Sequence, residues 1–248
     1  MKIVVTGGKG LLGTEVVRGL EGRGATVVSA SRRTGVDLAT GKGLEAVLEG
    51  ADCVVHAAAH SIRHRSVDLD GTRRMIKILV RRSRPPHVIY ISLLGCDRIP
   101  FRYHRVKYGC ELELERGQLP ATVVRATQYH VLVEGIARTA TLGPLALVVH
   151  DMAFQPCDHR WLASELADLA LGPAPSSFVR AADRAGPERL SLADAVTLLR
   201  AKDGKAPPRL ITLPPIGATL RAYADGVNLP GADAKIGGPS FREFLDRS

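Results

Sequence analysis

The first thirteen residues, Met1-Lys-Ile-Val-Val-Thr-Gly-Gly-Lys-Gly-Leu-Leu-Gly13, constrain the fold of everything that follows. Ile3, Val4 and Val5 form an apolar, β-branched run suited to a strand buried on both faces. Thr6 to Gly10 is a turn crowded with glycine. From Leu11 the apolar period becomes helical, with Leu12, Val16 and Leu20 on one face. Gly8, Gly10 and Gly13 satisfy G-x-G-x-x-G, while Gly7, Gly10 and Gly13 satisfy the related G-x-x-G-x-x-G. Either Gly7 or Gly8 allows the tight turn. Gly10 leaves room for a pyrophosphate against the backbone, and Gly13 lets the helix pack closely on the strand. The N–H groups and positive dipole end of that helix then meet the phosphates. A purely structural strand-to-helix turn is the plainer alternative, and the strand–turn–helix context argues against it.

Ala25 to Ala30 reads as a second strand, ending in Ser31-Arg32-Arg33. In a dinucleotide-binding fold this end reads the adenosine ribose. A carboxylate there would bond a 2′-hydroxyl and repel a 2′-phosphate, whereas a guanidinium grips the phosphate through charge-assisted hydrogen bonds. The pattern therefore favours NADP(H), with NAD(H) second; a solvated basic loop is the alternative. Asp37-Leu38 follow. The strand Asp52 to His56 closes on Ala57-Ala58-Ala59, whose small side chains leave space for a ligand. His56, His60 and His64 are spaced by four, but His56 ends a strand, so the three share no helical face and a metal site is not expected.

Val67 to Arg84 reads as one amphipathic helix, with Leu69, Ile76, Leu79 and Val80 inward and Arg84-Pro-Pro as its stop. His87 to Ser92 is the next buried strand. A helix then runs from about Arg102 to Arg116, with Tyr103, Lys107 and Glu111 in a row beside the apolar stripe Val106, Cys110, Leu114. Ala121 to Arg125 is a fifth strand. Alternating β and α segments predict an α/β fold, a doubly wound parallel sheet with right-handed crossovers. Beyond residue 130 the pattern loosens into a helix at Val131–Arg138, a strand-like run at Pro144–Val149, a helix at Trp161–Leu171, a possible strand at Ser176–Val179 and a helix begun by Ser191. The whole reads as a single domain over 1–248: a Rossmann core at 1–130, then final sheet strands and a small substrate-side lobe over the C-terminal edge of the strands at 131–248.

Composition narrows the partners. The chain of 248 residues has no apolar run of membrane-spanning length, and Lys2-Ile-Val-Val is already strand, not a signal peptide. Its four cysteines form no C-x-x-C pair and read as reduced, packed thiols of a cytoplasmic protein. The net charge of +9 is spread over scattered arginines, and aromatic residues are too few for a base-stacking platform. The expected partner is an anionic small molecule, with neither nucleic acid nor membrane; monomer and homodimer are equally open.

Taken together, Thr6-Gly-Gly-Lys-Gly-Leu-Leu-Gly13, Tyr90-Ile-Ser-Leu-Leu-Gly95, Tyr103-His-Arg-Val-Lys107 and Leu119-Pro-Ala-Thr-Val-Val-Arg-Ala-Thr-Gln128 resemble the short-chain dehydrogenases/reductases, and more narrowly their atypical, NmrA-like branch. Phe154-Gln-Pro-Cys-Asp158 and Gly186-Pro-Glu188 extend the resemblance more thinly. It implies a dinucleotide held by Thr6 to Gly13 (Leu11 and Leu12 included), Ser31 to Arg33, Asp37, Leu38, Ala57 to Ala59, Lys107, Ala126 and Thr127. It also implies Tyr103 as the general acid toward a substrate carbonyl. Lys107 would hold the nicotinamide ribose and lower the tyrosine's pKa. A serine orients the substrate oxygen in such proteins; here Leu93 stands at its position, and Ser92, one residue early, is the candidate. The family often has Asp where this chain has Trp161. The implied activity is hydride transfer from NADPH to a small carbonyl or quinone, with Leu93, Leu94, Tyr129, His130 and Phe154 as candidate pocket walls. Two alternatives are a non-catalytic NADP(H)-binding regulator and, with less support, an isomerase or epimerase.

Overall fold

The computed structural model describes residues 1–247. The chain opens with β1 (Lys2–Thr6), α1 (Leu11–Glu21), β2 (Thr26–Ala30), α2 (Leu44–Leu48) and β3 (Cys53–His56). Then come α3 (Asp70–Leu79), β4 (His87–Leu93), α4 (Arg102–Arg116), β5 (Ala121–Ala126) and α5 (His130–Ala140). Shorter elements follow: β6 (Thr141–Leu142), β7 (Leu145–Val149), β8 (Ala153–Phe154), α6 (His159–Leu171), β9 (Val179–Arg180), β10 (Arg184–Ala185) and β11 (Leu190–Ser191). The last are α7 (Leu192–Lys202), β12 (Arg209–Leu213), α8 (Gly217–Ala224), β13 (Lys235–Ile236) and α9 (Phe241–Asp246). These residues form two compact units. One holds Met1–Ser92, Arg102–Arg125 and Leu162–Ala181; the other holds Leu93–Phe101, Ala126–Trp161 and the chain from Ala182 onward.

The first unit is built on parallel strands in the order β2-β1-β3-β4-β5, with β9 added beside β5. Val4 pairs with Val28 on one side and with Val54 on the other, so the winding reverses between β1 and β3. That reversal is the switch point at whose strand ends an α/β sheet leaves a crevice. Ile3, Val4, Val5, Val54, Val55, Val88 and Ile89 are fully buried, as strands covered on both faces require. The sheet is that of the doubly wound parallel α/β class expected from the alternation.

The amphipathic stretch expected at 67–84 is not one helix. Arg65–Leu69 winds as a π turn, α3 covers only Asp70–Leu79, and Val80, expected inward, is 46% exposed. The widening has a visible cause: the Thr72 hydroxyl donates to the Asp68 carbonyl at 2.6 Å, an inserted side-chain bond of the kind that distorts a helical ladder. The Arg82 guanidinium meanwhile donates to the carbonyls of Leu48 and Ala51, which ends the helical path before the two prolines.

In the second unit Ala126, the last residue of β5, pairs with Arg184 of β10, and β10 pairs in parallel with β13. Leu145–Val149 joins a separate three-stranded sheet, β6-β7-β12, not the main one. Ala146 and Val148 of β7 face a core made with Val133, Val196, Leu199, Phe241 and Leu245. Trp161 lies against a glycine pair: a Cβ on Gly237 would stand 2.6 Å from its Nε1, and one on Gly238 2.9 Å from its Cβ. Asp158 starts α6, accepting the N–H groups of Arg160 and Trp161 at 2.8 and 2.9 Å.

The glycines of the first turn differ in what they tolerate. A Cβ at Gly13 would lie 2.2 Å from the Gly7 carbonyl oxygen, whereas one at Gly10 would meet only that oxygen, at 3.1 Å. Gly13→Ala is expected to cost about 1–3 kcal/mol in urea unfolding, as overpacking does, and Gly10→Ala less than about 1 kcal/mol. Equal midpoints for the two variants would contradict this.

Candidate functional site

The glycine turn resolves the choice between Gly7 and Gly8. Gly7 takes φ +70, and a Cβ there would stand 2.7 Å from Ala58 Cα, so the segment Ala57-Ala58-Ala59 lies directly against the turn. Gly8 is confined instead by Ser29, whose Oγ would be 2.5 Å from an added Cβ. The Gly10 N–H donates to Gly7 O at 2.8 Å, and α1 makes its first internal bond from Thr14 N–H to Gly10 O at 3.0 Å. The N–H groups of Leu11, Leu12 and Gly13 thus begin the helix with no side-chain cap and no acidic residue in the first turn. Leu11 is exposed and Leu12 is packed in the core. The arrangement is an electropositive helix end with space before it.

Thr6 is buried and serves a polar chain. It sits 2.6 Å from His56 Nδ1, and His56 Nε2 is 2.9 Å from Thr72 Oγ1. Because Thr72 gives its proton to Asp68 O, His56 must donate from Nε2 and accept at Nδ1 from Thr6. Burial drives the His56 pKa down to about 3, with the Lys107 charge adding to the effect, so the ring is neutral. His60 and His64 bond within their own loop, to the N–H groups of Ile62 and Arg63 and to Ser61 O.

At the end of β2, the Ser31 backbone and side chain engage Thr34, shaping a tight turn that carries Arg32 and Arg33 outward. Both arginines are exposed, and among the described residues neither is engaged in an ion pair. Asp37 Oδ1 accepts the Ala39 N–H at 2.9 Å, and the Leu38 carbonyl is held by Arg74 at 3.1 Å. Leu38 was expected to contact the cofactor. Its side chain belongs to the core instead, because Gly71 packs close against it. In the second unit, Thr127 is likewise engaged: its N–H bonds Arg184 O at 2.9 Å and its hydroxyl bonds Gln155 O at 2.7 Å. Ala126 O accepts the Leu94 N–H at 2.9 Å. The Thr127 N–H and hydroxyl hydrogen are thus given to the protein, while the Ala126 carbonyl and the Thr127 hydroxyl oxygen keep acceptor capacity. His130 and Phe154 are fully buried in the same unit's interior, His130 stacked on Phe244 at 5.2 Å, so they are not pocket walls.

On α4, Tyr103 is half-buried and Lys107 and Glu111, on successive turns, are buried. The Lys107 ammonium donates to Ile91 O at 2.6 Å and lies 4.2 Å from the centre of the Tyr90 ring, two interactions that together compensate a buried cation. The sequence implied a nearby cation that lowers the Tyr103 pKa, whereas the surroundings of the phenol act in the other direction. Burial pushes the phenol well up, and the neighbouring Asp68 and Cys110 push it further. Ser92 also needs correction. Its hydroxyl donates to Glu111 Oε1 at 2.5 Å, and that hydrogen cannot at once orient a substrate oxygen. Glu111 further accepts Arg125 through both oxygens at 2.9 and 2.8 Å and Arg180 at 3.3 Å. Asp68 was not singled out from sequence, and Glu111 was placed on the Tyr103–Lys107 row without a role. The signal for Asp68 was there: an Asp set within the apolar Val67-Asp68-Leu69.

Residues 1–68 match the family described as the RmlD substrate binding domain, well under half of the chain. The match is not to the NmrA-like branch. A comparison with curated proteins finds no match. Among solved structures, an NADPH-dependent quinone oxidoreductase from Escherichia coli, complexed with NADPH, is similar at 16% identity and TM-score 0.75, covering 99% of each chain. A dTDP-4-dehydrorhamnose reductase from Bacillus anthracis, in complex with NADP, gives 15% identity and TM-score 0.67 over 99% of this chain and 97% of that one. A short-chain dehydrogenase/reductase superfamily protein from Agrobacterium tumefaciens, with bound NAD, gives 16% and 0.70 over 100% and 95%. At these identities the likeness establishes the fold.

The Glu111 network generates a stability test. Glu111 is fully buried and Arg125 is 16% exposed, whereas Glu115, 3.6 Å from Arg180, is 49% exposed. Glu111→Ala is expected to cost about 3 kcal/mol in urea unfolding, because Arg125, mostly withdrawn from water, loses its carboxylate. Glu115→Ala should stay within about 0.5 kcal/mol. A Glu111 variant as stable as the parent would show that solvent reaches Arg125.

Proposed function

We propose that this protein is a nicotinamide-dinucleotide oxidoreductase of the short-chain type, preferring NADPH and reducing a small carbonyl or quinone. The observation that carries the reading is the turn from Gly7 to Gly13. It closes on Ala58 at one side, leaves Gly10 without a neighbour except Gly7 O, and presents the uncapped, acid-free end of α1. These features fit a pyrophosphate, which needs close backbone approach and unpaired N–H donors. Arg32 and Arg33, exposed at the end of β2, suit a 2′-phosphate. The similar Escherichia coli and Bacillus anthracis structures, with NADPH and NADP bound, support the same choice.

When bound, the nicotinamide supplies a hydride. This chain's part is proton delivery and positioning. The Tyr103 hydroxyl donates its proton to the oxygen that gains charge, and Lys107 is assigned to the ribose. No serine hydroxyl is assigned to the substrate oxygen, since Ser92 is engaged by Glu111. The same facts favour a second reading, an NADP(H)-binding regulator that does not turn the cofactor over. A phenol pushed up by burial and by Asp68, with Lys107 engaged at Ile91 O, is what such a protein tolerates.

Cofactor choice is tested at Arg32. Arg32→Ala should weaken NADPH more than NADH by about 1–3 kcal/mol in fluorescence titrations, the worth of a charge-assisted pair. Equal affinity of the unmodified protein for the two cofactors would sink the preference.

Turnover is tested at Tyr103. Stopped-flow loss of NADPH absorbance against a panel of aldehydes, ketones and quinones should reveal an acceptor, and Tyr103→Phe should slow it by roughly 10²–10⁴ while NADPH binding holds. Tight NADPH binding with no acceptor in the panel would favour the regulator.

A further inference from the structure

Asp68 is not used by the reading above, yet it lies in the same unit as Tyr103 and Lys107 and is only 1% exposed. It stands in the π turn, a winding often retained for function. One carboxyl oxygen accepts the His60 N–H at 3.1 Å, and the other is buried with no hydrogen-bond partner. The turn packs on α4. The His64 ring meets Tyr103 edge to face at 5.9 Å, and a Cβ on Gly109 would touch Leu69 at 3.3 Å. The Asp68 carbonyl is tied through Thr72 to His56 and so to Thr6 at the end of β1. The backbone of Asp68 is thus tied to the framework of the glycine turn, and its carboxyl is buried in a turn packed on the helix of Tyr103.

We propose that Asp68 is a positioning residue for Tyr103 and Lys107: without touching substrate, its buried carboxyl sets the charge around the tyrosine and thereby how readily the tyrosine gives up its proton. The proposal rests on the roles assigned to that pair in the proposed function.

The groups facing Asp68 give the direction. Lys107, Tyr103 and Cys110 act from α4, Tyr90 from β4, and His60 and His64 from its own segment. Burial raises its pKa from 3.8 to about 6, although Lys107, the His60 N–H and His64 pull the other way. Above about pH 6 the carboxylate opposes ionisation of Tyr103; below it the neutral acid does not. Protonating Asp68 therefore strengthens Tyr103 as an acid, in the direction that a proton-consuming reduction requires. The linkage has a definite sign. The folded pKa lies above the unfolded one, so stability is lost as pH rises from about 4 to about 6, and the full penalty persists at neutral pH.

The test begins with cofactor-free protein carrying carboxyl-labelled aspartate, titrated by carbon NMR, with Asp68→Asn identifying the signal. Should that variant not fold, Asp68→Ser serves. The expected midpoint is about 6, moving up by about one pH unit in Lys107→Met. A midpoint below about 4.5, or one indifferent to Lys107, would overturn the proposal. With an acceptor in hand, the parent's NADPH oxidation should rise roughly threefold to tenfold as pH falls through 6, and Asp68→Asn should be flat at the parent's low-pH level. Superimposable profiles would also overturn it. A parent that oxidises no NADPH would sink the reductase reading, and the carboxyl titration still decides the charge-setting role.

Discussion

The distance between Gly13 and the Gly7 carbonyl is the constraint on which the rest of the first unit depends. A Cβ at Gly13 would sit 2.2 Å from that oxygen, which is inside any allowed contact. Because none is there, α1 starts within four residues of the end of β1, with Gly10 N–H closing the turn on Gly7 O at 2.8 Å. Gly7 in turn needs φ +70 and has the backbone at Ala58 where its own Cβ would be. Strand, helix end and the segment after β3 are thus locked together by missing side chains. A methyl group at Gly7 or Gly13 would force α1 or the alanine segment away from the switch point, and with it the donors that face it.

A second organising feature is charge placed where water is not. Lys107 and Glu111 are four apart on α4, both buried, yet they solve the problem differently. The ammonium takes a backbone carbonyl and an aromatic face. The carboxylate takes two arginines and a serine, which cancels it and ties α4 to β4, β5 and β9. One of these buried charges anchors the helix; the other stays electrically active toward His56, Asp68 and Cys110.

What was legible from sequence follows from what periodicity encodes. The strand–turn–helix opening, the five alternating strands and the α4 boundaries at Arg102 and Arg116 came through, because burial on two faces or one leaves a repeating signature. The Gly7 turn was legible as a motif but not as a choice between Gly7 and Gly8, which depends on Ser29 and Ala58, distant in sequence. The stretch 67–84 failed because one hydroxyl, Thr72, outcompetes the regular ladder, and hydrophobic period carries no record of such a bond. Leu145–Val149 read correctly as a strand, but its partners β6 and β12 are weakly patterned and two to sixty-odd residues away, so its sheet was not readable. At the site, the directions of side chains were not readable from sequence. Ser92 and Leu38 point where strand parity and packing send them, and Tyr103 is tuned by an aspartate that no Y-x-x-x-K pattern includes.

That tuning bears on which acceptor needs Tyr103 at all. A phenol raised above its ordinary value near 10 is a poor acid toward a weakly basic oxygen. Toward an alkoxide, a much stronger base than a phenolate, proton transfer is still strongly downhill, so a carbonyl acceptor draws full benefit from the hydroxyl once charge has developed. A reduced quinone carries its charge on a phenolic oxygen of about the same basicity as tyrosine itself, and it gains little. With Asp68 nearby discouraging phenolate, the proposed role makes Tyr103 useful in proportion to the basicity of the oxygen it faces. The similarity in fold to a quinone oxidoreductase and to a sugar-nucleotide reductase does not separate these cases. Under the proposed function, the environment of that one hydroxyl favours the carbonyl.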